Sequence, residues 1–137
     1  MIELVIADEN AKVRSAIHLL LEQDTACWNV VSEVRNGEEL FLAVEKNDPK
    51  LLLLDWDLPE GVGFLGENLD QNSSTRIQRL RNSHPQMHIL VLSSKPQVKG
   101  KAILCGADAF VSKCDPPETL LRTLYSVCSH NEQYSLV

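Results

Sequence analysis

The 137-residue sequence predicts one α/β domain in which five βα units wind around a parallel sheet. Short apolar runs alternate with amphipathic stretches along the chain, as expected for parallel strands that are buried on both faces. Four of the apolar runs are followed directly by acidic, hydroxyl or lysine side chains. Because ligands bind beyond the carboxyl ends of such strands, these side chains are the first candidates for a functional site.

The first two strand–helix units are predicted from the pattern of apolar residues. Residues 4–7 form a short apolar strand, and Asn10 is the predicted N-cap of the helix that follows. A second strand is predicted over Trp28–Val34, followed by a turn at Asn36 and a helix. This helix should end just before Pro49, because proline cannot continue it.

The other three strands follow from shorter apolar runs. Residues 51–54 are four leucines and form the predicted central strand. The remaining predicted elements are strands at 89–92 and 109–111 and helices at about 75–83, 97–105 and 117–129. Residues 1–130 are therefore the predicted domain, and residues 131–137, which show no periodic pattern, are expected to be a tail or the start of a linker.

One connection is too long for an ordinary α/β loop. The stretch from residue 60 to residue 74 contains three glycines and several turn-forming residues, whereas such loops usually have about 2 to 6 residues. We expect an insertion around residues 64–75 that is mobile, lies beside the strand ends and contains one short helical turn.

Composition and charge exclude several classes of protein. The net charge of -6 would repel phosphate backbones, so direct nucleic-acid binding is not expected. The sequence has neither a signal peptide pattern nor an apolar run near the ~20 residues of a membrane span. The four cysteines form no C-x-x-C pair, which indicates free thiols in a reducing cytoplasm rather than a zinc site.

The helix at 75–83 contains a short basic stretch, residues 76–81. Its spacing is typical of a solvated helix face, with Ile77 and Leu80 buried, and it favours this interpretation over a nucleic-acid strip. Trp56, in the loop before that helix, is expected to be a partly exposed packing residue.

The candidate functional side chains follow strands one, three, four and five. They are Asp8 and Glu9, Asp55 and Asp57, Ser93 and Ser94, and Lys113. Carboxylates gathered at one sheet edge repel one another, so the arrangement favours a bound Mg²⁺ together with the lysine ammonium. A carboxylate can also act as a nucleophile towards phosphorus, so the set contains every part needed to form an aspartyl phosphate.

These motifs resemble the receiver domain of bacterial two-component response regulators along nearly the whole chain. The resemblance is carried by Val5-Ile6-Ala7-Asp8-Glu9, Leu53-Leu54-Asp55-Trp56-Asp57-Leu58-Pro59 with Gly63, Ile89-Leu90-Val91-Leu92-Ser93-Ser94, and Gly106-Ala107-Asp108-Ala109-Phe110-Val111-Ser112-Lys113. It implies a flavodoxin-like doubly wound (βα)5 sandwich whose sheet has the strand order 2-1-3-4-5.

The resemblance also implies the chemical roles of the acidic residues. Asp55 would be the phosphoacceptor, and Asp55 and Glu9 would bind Mg²⁺ through their side chains. Asp8 would act largely through water, and the backbone carbonyl of Asp57 would be a further metal ligand.

Three other residues match the positions that respond to phosphorylation in this family. Lys113 would contact the phosphoryl group, and the hydroxyl of Ser93 would move towards it. Phe110 matches the aromatic residue that swings inward on activation. The family therefore implies a regulatory domain that is not itself an enzyme, although it catalyses its own phosphorylation and dephosphorylation.

The residues that follow Lys113 indicate a subfamily and its partners. Cys114 stands where the family usually has proline, and Asp115-Pro116-Pro117-Glu118 resembles regulators with helix-turn-helix output modules. The resemblance implies two partners, a sensor histidine kinase and a C-terminal DNA-binding module outside this chain. It also implies a role in transcription regulation and homodimerisation on phosphorylation.

Three alternatives stay open at the level of sequence. The chain could be a degenerate receiver that binds partners without phosphorylation, supported only by the insertion. A haloacid-dehalogenase-like phosphatase also has a pattern like Asp55-x-Asp57, but it would leave the early acid pair unexplained. A flavodoxin-like cofactor protein is disfavoured because carboxylates occupy the loop where phosphate would bind.

Overall fold

The computed structural model describes residues 1–61 and 72–135, with side chains described through residue 128. Five parallel strands form one sheet in the order β2-β1-β3-β4-β5, which confirms the predicted doubly wound, flavodoxin-like arrangement. The strands are β1 (Ile2–Ala7), β2 (Trp28–Val34), β3 (Leu51–Asp55), β4 (His88–Ser93) and β5 (Ala109–Ser112).

Five helices connect and follow the strands. They are α1 (Ala11–Leu21), α2 (Gly37–Asn47), α3 (Ser73–Ser83), α4 (Lys99–Cys105) and α5 (Pro117–Ser135). Short 3-10 turns at Glu22–Asp24 and Pro96–Val98 follow α1 and precede α4. No helix in the described part of the chain is long and apolar enough to cross a bilayer.

The central strand explains how the core is divided into two layers. Leu51 and Leu53 pack with α1 and α5, whereas Leu52 and Leu54 pack with α2, α3 and α4 on the other face. All four leucines are at most 1% exposed. Because successive side chains of a strand alternate between faces, four consecutive leucines supply both layers at once.

Local sequence signals begin and end the helices. The side chains of Asn10, Asn36 and Asn72 each accept hydrogen bonds from backbone amides in the first turns of α1, α2 and α3. After α2 the chain turns at Asp48, whose φ of 43° is left-handed, and Pro49 then prevents further helix. The predicted N-cap at Asn10 and the predicted end of α2 are thus confirmed.

Two predicted helix boundaries differ from the structure. Helix α4 begins at Lys99 rather than near residue 97, because Pro96–Val98 form a 3-10 turn. Helix α5 continues to Ser135, past the expected end at about residue 129. Its last turns include Glu132 and Gln133, which have good helix propensity and can extend a helix without apolar periodicity. The predicted insertion around 64–75 lies largely outside the described residues.

Candidate functional site

Two buried carboxylates lie side by side at the carboxyl edge of the sheet. Strands β1 and β3 are neighbours, with Ala7 paired to Leu54, so the residues that follow in each strand, Asp8 and Asp55, are brought to the same edge. Asp8 is 2% exposed and Asp55 is 7% exposed. Buried acids of this kind need a positive partner.

Lys113, from the end of β5, supplies that partner. Its Nζ lies 2.8 Å from Oδ2 of Asp8 and 3.2 Å from Oδ1 of Asp55. These two carboxylate oxygens are therefore no more than 6.0 Å apart. The structure thus brings together three of the residues predicted from the sequence, although they come from three strands far apart in the chain.

The ammonium of Lys113 only partly offsets the effects of burial and of Asp8 on the pKa of Asp55. Burial, followed by the negative charge of Asp8, raises the pKa of Asp55 above its ordinary value, although Lys113 acts in the opposite direction. Burial lowers the pKa of Lys113, but the hydrogen bond to Asp8 and the charge of Asp55 outweigh it, so its pKa is raised. The position of Asp55 therefore carries an excess of unfavourable negative charge that a further cation would relieve.

The loop after β1 is held by an arginine that sequence reasoning missed. Nη1 of Arg14 donates to the backbone carbonyls of Asp8 at 2.6 Å and Glu9 at 3.2 Å. Oδ1 of Asp8 accepts a hydrogen bond from the amide of Asn10 at 2.9 Å. Because Arg14 lies one turn into α1, its position in the helix gives the only sequence signal for this contact.

The turn after Asp55 is also fixed by hydrogen bonds. The amide of Asp57 donates to Oδ1 of Asp55 at 3.1 Å, and the amide of Leu58 donates to the backbone carbonyl of Asp55 at 3.2 Å. Both described side-chain contacts of Asp55, to Asp57 and to Lys113, involve Oδ1 rather than Oδ2. These contacts fix the orientation of the Asp55 carboxylate.

Arg76 corrects the prediction that residues 76–81 form a solvated face. It is 1% exposed, and its guanidinium donates to the carbonyl of Leu58 at 2.7 Å and to the carboxylate of Glu60 at 2.8 Å. The expected burial of Ile77 and Leu80 is confirmed. Arg76 precedes Leu80 by four residues and so shares its buried helix face, which the spacing alone could have indicated.

Ser93 lies on the strand next to the one that carries Asp55. Ser93 ends β4 and is fully buried, and its Oγ accepts a hydrogen bond from the amide of Lys95 at 3.0 Å. Its backbone carbonyl accepts a hydrogen bond from the amide of Lys113 at 2.9 Å. The ammonium of Lys95 lies 3.6 Å from Asp57, and both of these side chains are about half exposed.

The two aromatic residues near the site are half-buried. Phe110 lies opposite Val91 in the sheet and packs against the core layer of α2, α3 and α4. Trp56 packs against the same layer directly after the acceptor, as predicted for a packing residue. Both side chains can therefore respond to small changes at the strand ends.

The site suits Mg²⁺ better than a metal that needs several protein ligands. No three His, Cys, Asp or Glu side chains converge on one point among the described residues, and Glu9 is exposed. Two carboxylates suffice for Mg²⁺, which keeps several waters and completes its coordination with phosphate oxygens. The repulsion that raises the pKa of Asp55 fits the charge of such an ion. The assignment of Glu9 and of the Asp57 carbonyl as ligands stays a prediction.

Residues 4–125 match the family model described as response regulator receiver domain. Among curated proteins, the chain is 29% identical to the probable transcriptional regulatory protein SgaR of Hyphomicrobium methylovorum, covering 92% of this chain and 56% of that protein. It is 27% identical to the oxygen regulatory protein NreC of Staphylococcus aureus, covering 90% and 54%. The chain therefore spans about half the length of these relatives.

Solved structures show the same fold at lower sequence identity. The isolated receiver domain of RcsB from Salmonella enterica serovar Typhimurium, with the phosphomimetic BeF3-, has a TM-score of 0.80, covers 93% of this chain and 88% of that one, and is 24% identical. A LuxR-family DNA-binding response regulator from Staphylococcus aureus has a TM-score of 0.76 at 20% identity, covering 93% and 98%. With its matched fold and strand-end residues, the chain belongs to the response regulator receiver domain family.

Proposed function

We propose that this receiver domain accepts a phosphoryl group on Asp55 from a sensor histidine kinase, with Mg²⁺ as cofactor, and thereby switches an output surface. The observation that carries the proposal is the buried Asp55 carboxylate, which lies beside Asp8 and shares the ammonium of Lys113. The burial of Asp55, followed by the charge of Asp8, raises the pKa of Asp55, and such a perturbed acid is more typical of a functional site than of a structural ion pair.

In the proposed transfer, a carboxylate oxygen of Asp55 attacks the phosphorus of a phosphohistidine. An oxygen–phosphorus bond forms while the phosphorus–nitrogen bond breaks, and the imidazole leaves with the bonding electron pair and takes up a proton. Lys113 stabilises negative charge on the phosphoryl oxygens from its position 3.2 Å from Asp55. Asp57 helps through its amide, which fixes the orientation of the attacking carboxylate.

The groups that would hold Mg²⁺ are the side chains of Asp55 and Glu9 and the backbone carbonyl of Asp57, with Asp8 acting largely through water. Bound there, Mg²⁺ would offset the combined charge of the carboxylates and the phosphoryl group. Arg14 holds the backbone of Asp8 and Glu9, so this acidic loop is positioned before any ligand arrives.

The proposed switch depends on a hydroxyl that is already close to the acceptor strand. The Ser93 hydroxyl would donate to a phosphoryl oxygen and so draw the end of β4 towards Asp55. Phe110, half-buried on the adjacent strand, would then move inward and alter the surface formed by α4, β5 and α5. Phosphorylation would bias a two-state equilibrium through these differential contacts.

The output of the switch is proposed to be transcription regulation in the cytoplasm. The chain covers about half of relatives that include a probable transcriptional regulatory protein, so a DNA-binding module could follow this domain in the full protein. Its own net charge of -6 does not favour DNA binding by the receiver itself. Homodimerisation on phosphorylation would link the receiver to such an output.

The direct test is incubation with acetyl phosphate and Mg²⁺, followed by intact-mass measurement. Wild-type protein is expected to gain one phosphoryl group. Asp55→Asn and a sample with EDTA should gain none, whereas Asp57→Asn, which keeps the acceptor, should still gain it. No gain in the wild type under any condition would instead favour the alternative of a phosphorylation-independent interaction module.

A further inference from the structure

A buried ion pair lies behind the loop that follows the acceptor. Glu60 and Arg76, called here the Glu60–Arg76 pair, are joined at 2.8 Å, and their side chains are 8% and 2% exposed. Nε of Arg76 is buried without a hydrogen-bond partner in the described part of the chain. Such a pair is costly to bury, and apolar side chains of similar volume usually stabilise a fold at least as well. Stability alone therefore gives little reason for it.

The pair fastens one specific segment, residues 55–60, which we call the acceptor turn. From α3, Arg76 donates to the carbonyl of Leu58 at 2.7 Å as well as to Glu60. From α2, the amide of Gly37 donates to the carbonyl of Pro59 at 2.8 Å. The acceptor turn is therefore held between the first turns of two helices.

The carboxylate of Glu60 lies directly against Gly37, the first residue of α2. A Cβ atom at Gly37 would lie 2.7 Å from its carboxylate, so the absence of a side chain there makes room for it. The amide of Glu38 also donates to the backbone carbonyl of Glu60 at 3.1 Å. A planar guanidinium that bonds two acceptors at fixed angles then sets the orientation of the whole turn.

We propose that Arg76, acting through Glu60 and the Leu58 carbonyl, is a positioning residue that holds the acceptor turn in the conformation that binds Mg²⁺. The turn carries the Asp55 carboxylate and the Asp57 backbone, whose amide contacts Asp55 at 3.1 Å. This inference depends on the proposed function, because it concerns the metal affinity of the same site. Supporting groups behind metal ligands typically change metal affinity about 10- to 100-fold when they are lost.

The test uses the double substitution Glu60→Leu with Arg76→Met, which removes both charges together and leaves neither one buried alone. The dissociation constant for Mg²⁺ is measured from the fluorescence of Trp56, and Trp56→Phe shows how much of the signal comes from that residue. We expect the constant to rise about tenfold. Saturating Mg²⁺ should restore the wild-type rate of phosphorylation by acetyl phosphate, a recovery that a general folding defect would not give.

Arg79→Met is the matched control, since it makes the same substitution on an exposed part of α3 and should leave the dissociation constant unchanged. If the double variant does not fold, Arg76→Lys replaces it: this variant keeps a charge beside Glu60 but lacks the planar group that bonds two acceptors, and a smaller rise is expected. A constant within about twofold of wild type in the folded variant overturns the proposal. If the wild type itself shows neither Mg²⁺ binding nor phosphorylation on Asp55, the proposed function fails instead.

Discussion

Replacing Asp55 with asparagine is expected to stabilise the metal-free protein. The substitution removes a charge from a position that is 7% exposed and keeps Oδ1, which accepts the hydrogen bond from the Asp57 amide. A site arranged for phosphoryl transfer is expected to be electrostatically strained when its ligands are absent. The folded state should therefore become more stable when its acceptor is lost.

The size of the effect follows from three opposing contributions. Attraction to Lys113 at 3.2 Å is about 5 kcal/mol at an effective dielectric constant of about 20. Repulsion by Asp8, at 6.0 Å or less, is about 3 kcal/mol under the same assumption. Removing the Asp55 carboxylate from water costs about 3 to 4 kcal/mol. The balance is about 1 to 2 kcal/mol in favour of the asparagine variant.

The pH dependence has a definite sign. Because burial and then the charge of Asp8 raise the pKa of Asp55 above its ordinary value of 3.8, the folded state binds the proton more tightly than the unfolded state. This contribution destabilises the wild type progressively as the pH rises from 3.8 through the folded-state pKa. The advantage of Asp55→Asn should be fully present above the folded-state pKa and should vanish as the pH falls below the ordinary pKa of a carboxyl group.

Thermal unfolding followed by circular dichroism in EDTA at pH 7 measures the difference. We expect the midpoint of Asp55→Asn to exceed that of the wild type by about 3 to 6 °C. Asp57→Asn is the control, because its side chain is about half exposed and its only described ion pair is the surface contact with Lys95, so the midpoint should hardly change. An equal or lower midpoint for Asp55→Asn would refute the electrostatic account.

Three further substitutions test other parts of the structure. Lys113→Met should slow phosphorylation of Asp55 by acetyl phosphate about 100-fold or more, since it removes the cation that stabilises the transferred group; a rate near that of wild type would contradict this role. Gly37→Ala should lower the free energy of unfolding by about 1 to 3 kcal/mol in urea titrations, because its Cβ would meet the Glu60 carboxylate at 2.7 Å; an unchanged value would mean that Glu60 is free to move. Leu124→Ala, at a fully buried position in the layer of α1 and α5, should cost about 2 to 4 kcal/mol in the same titration, and a cost below about 1 kcal/mol would argue against its packing.

Much of the fold was predictable because the signals are local. The four leucines of strand β3 (Leu51–Asp55) and the N-cap at Asn10 are each recognised from residues that are adjacent in the chain. The position of Asp8 and Asp55 at strand ends also follows from local pattern, and their meeting at one edge follows from the parallel sheet. The strand order itself came from the family resemblance, since local patterns do not determine which strands are neighbours.

The wrong expectation at Arg76 had a physical cause. The helical spacing of residues 76–81 places Ile77 and Leu80 on the buried face, and because arginine is seldom fully buried, the same pattern predicts that the basic residues face solvent. Burial of Arg76 becomes favourable only because the carbonyl of Leu58 and the carboxylate of Glu60 are delivered by a different part of the chain. No local pattern contains that information.

By itself, the sequence determined the alternating order of strands and helices and the polar side chains that follow the strands. Both depend on the short-range pattern of apolar and polar residues. Only the tertiary structure decided that one ammonium, that of Lys113, lies between Asp8 and Asp55 at 2.8 and 3.2 Å, and that Arg76 is buried behind the acceptor turn. These contacts join residues far apart in the chain, and electrostatic energies change steeply with distances and burial that arise only when the strands and helices pack together.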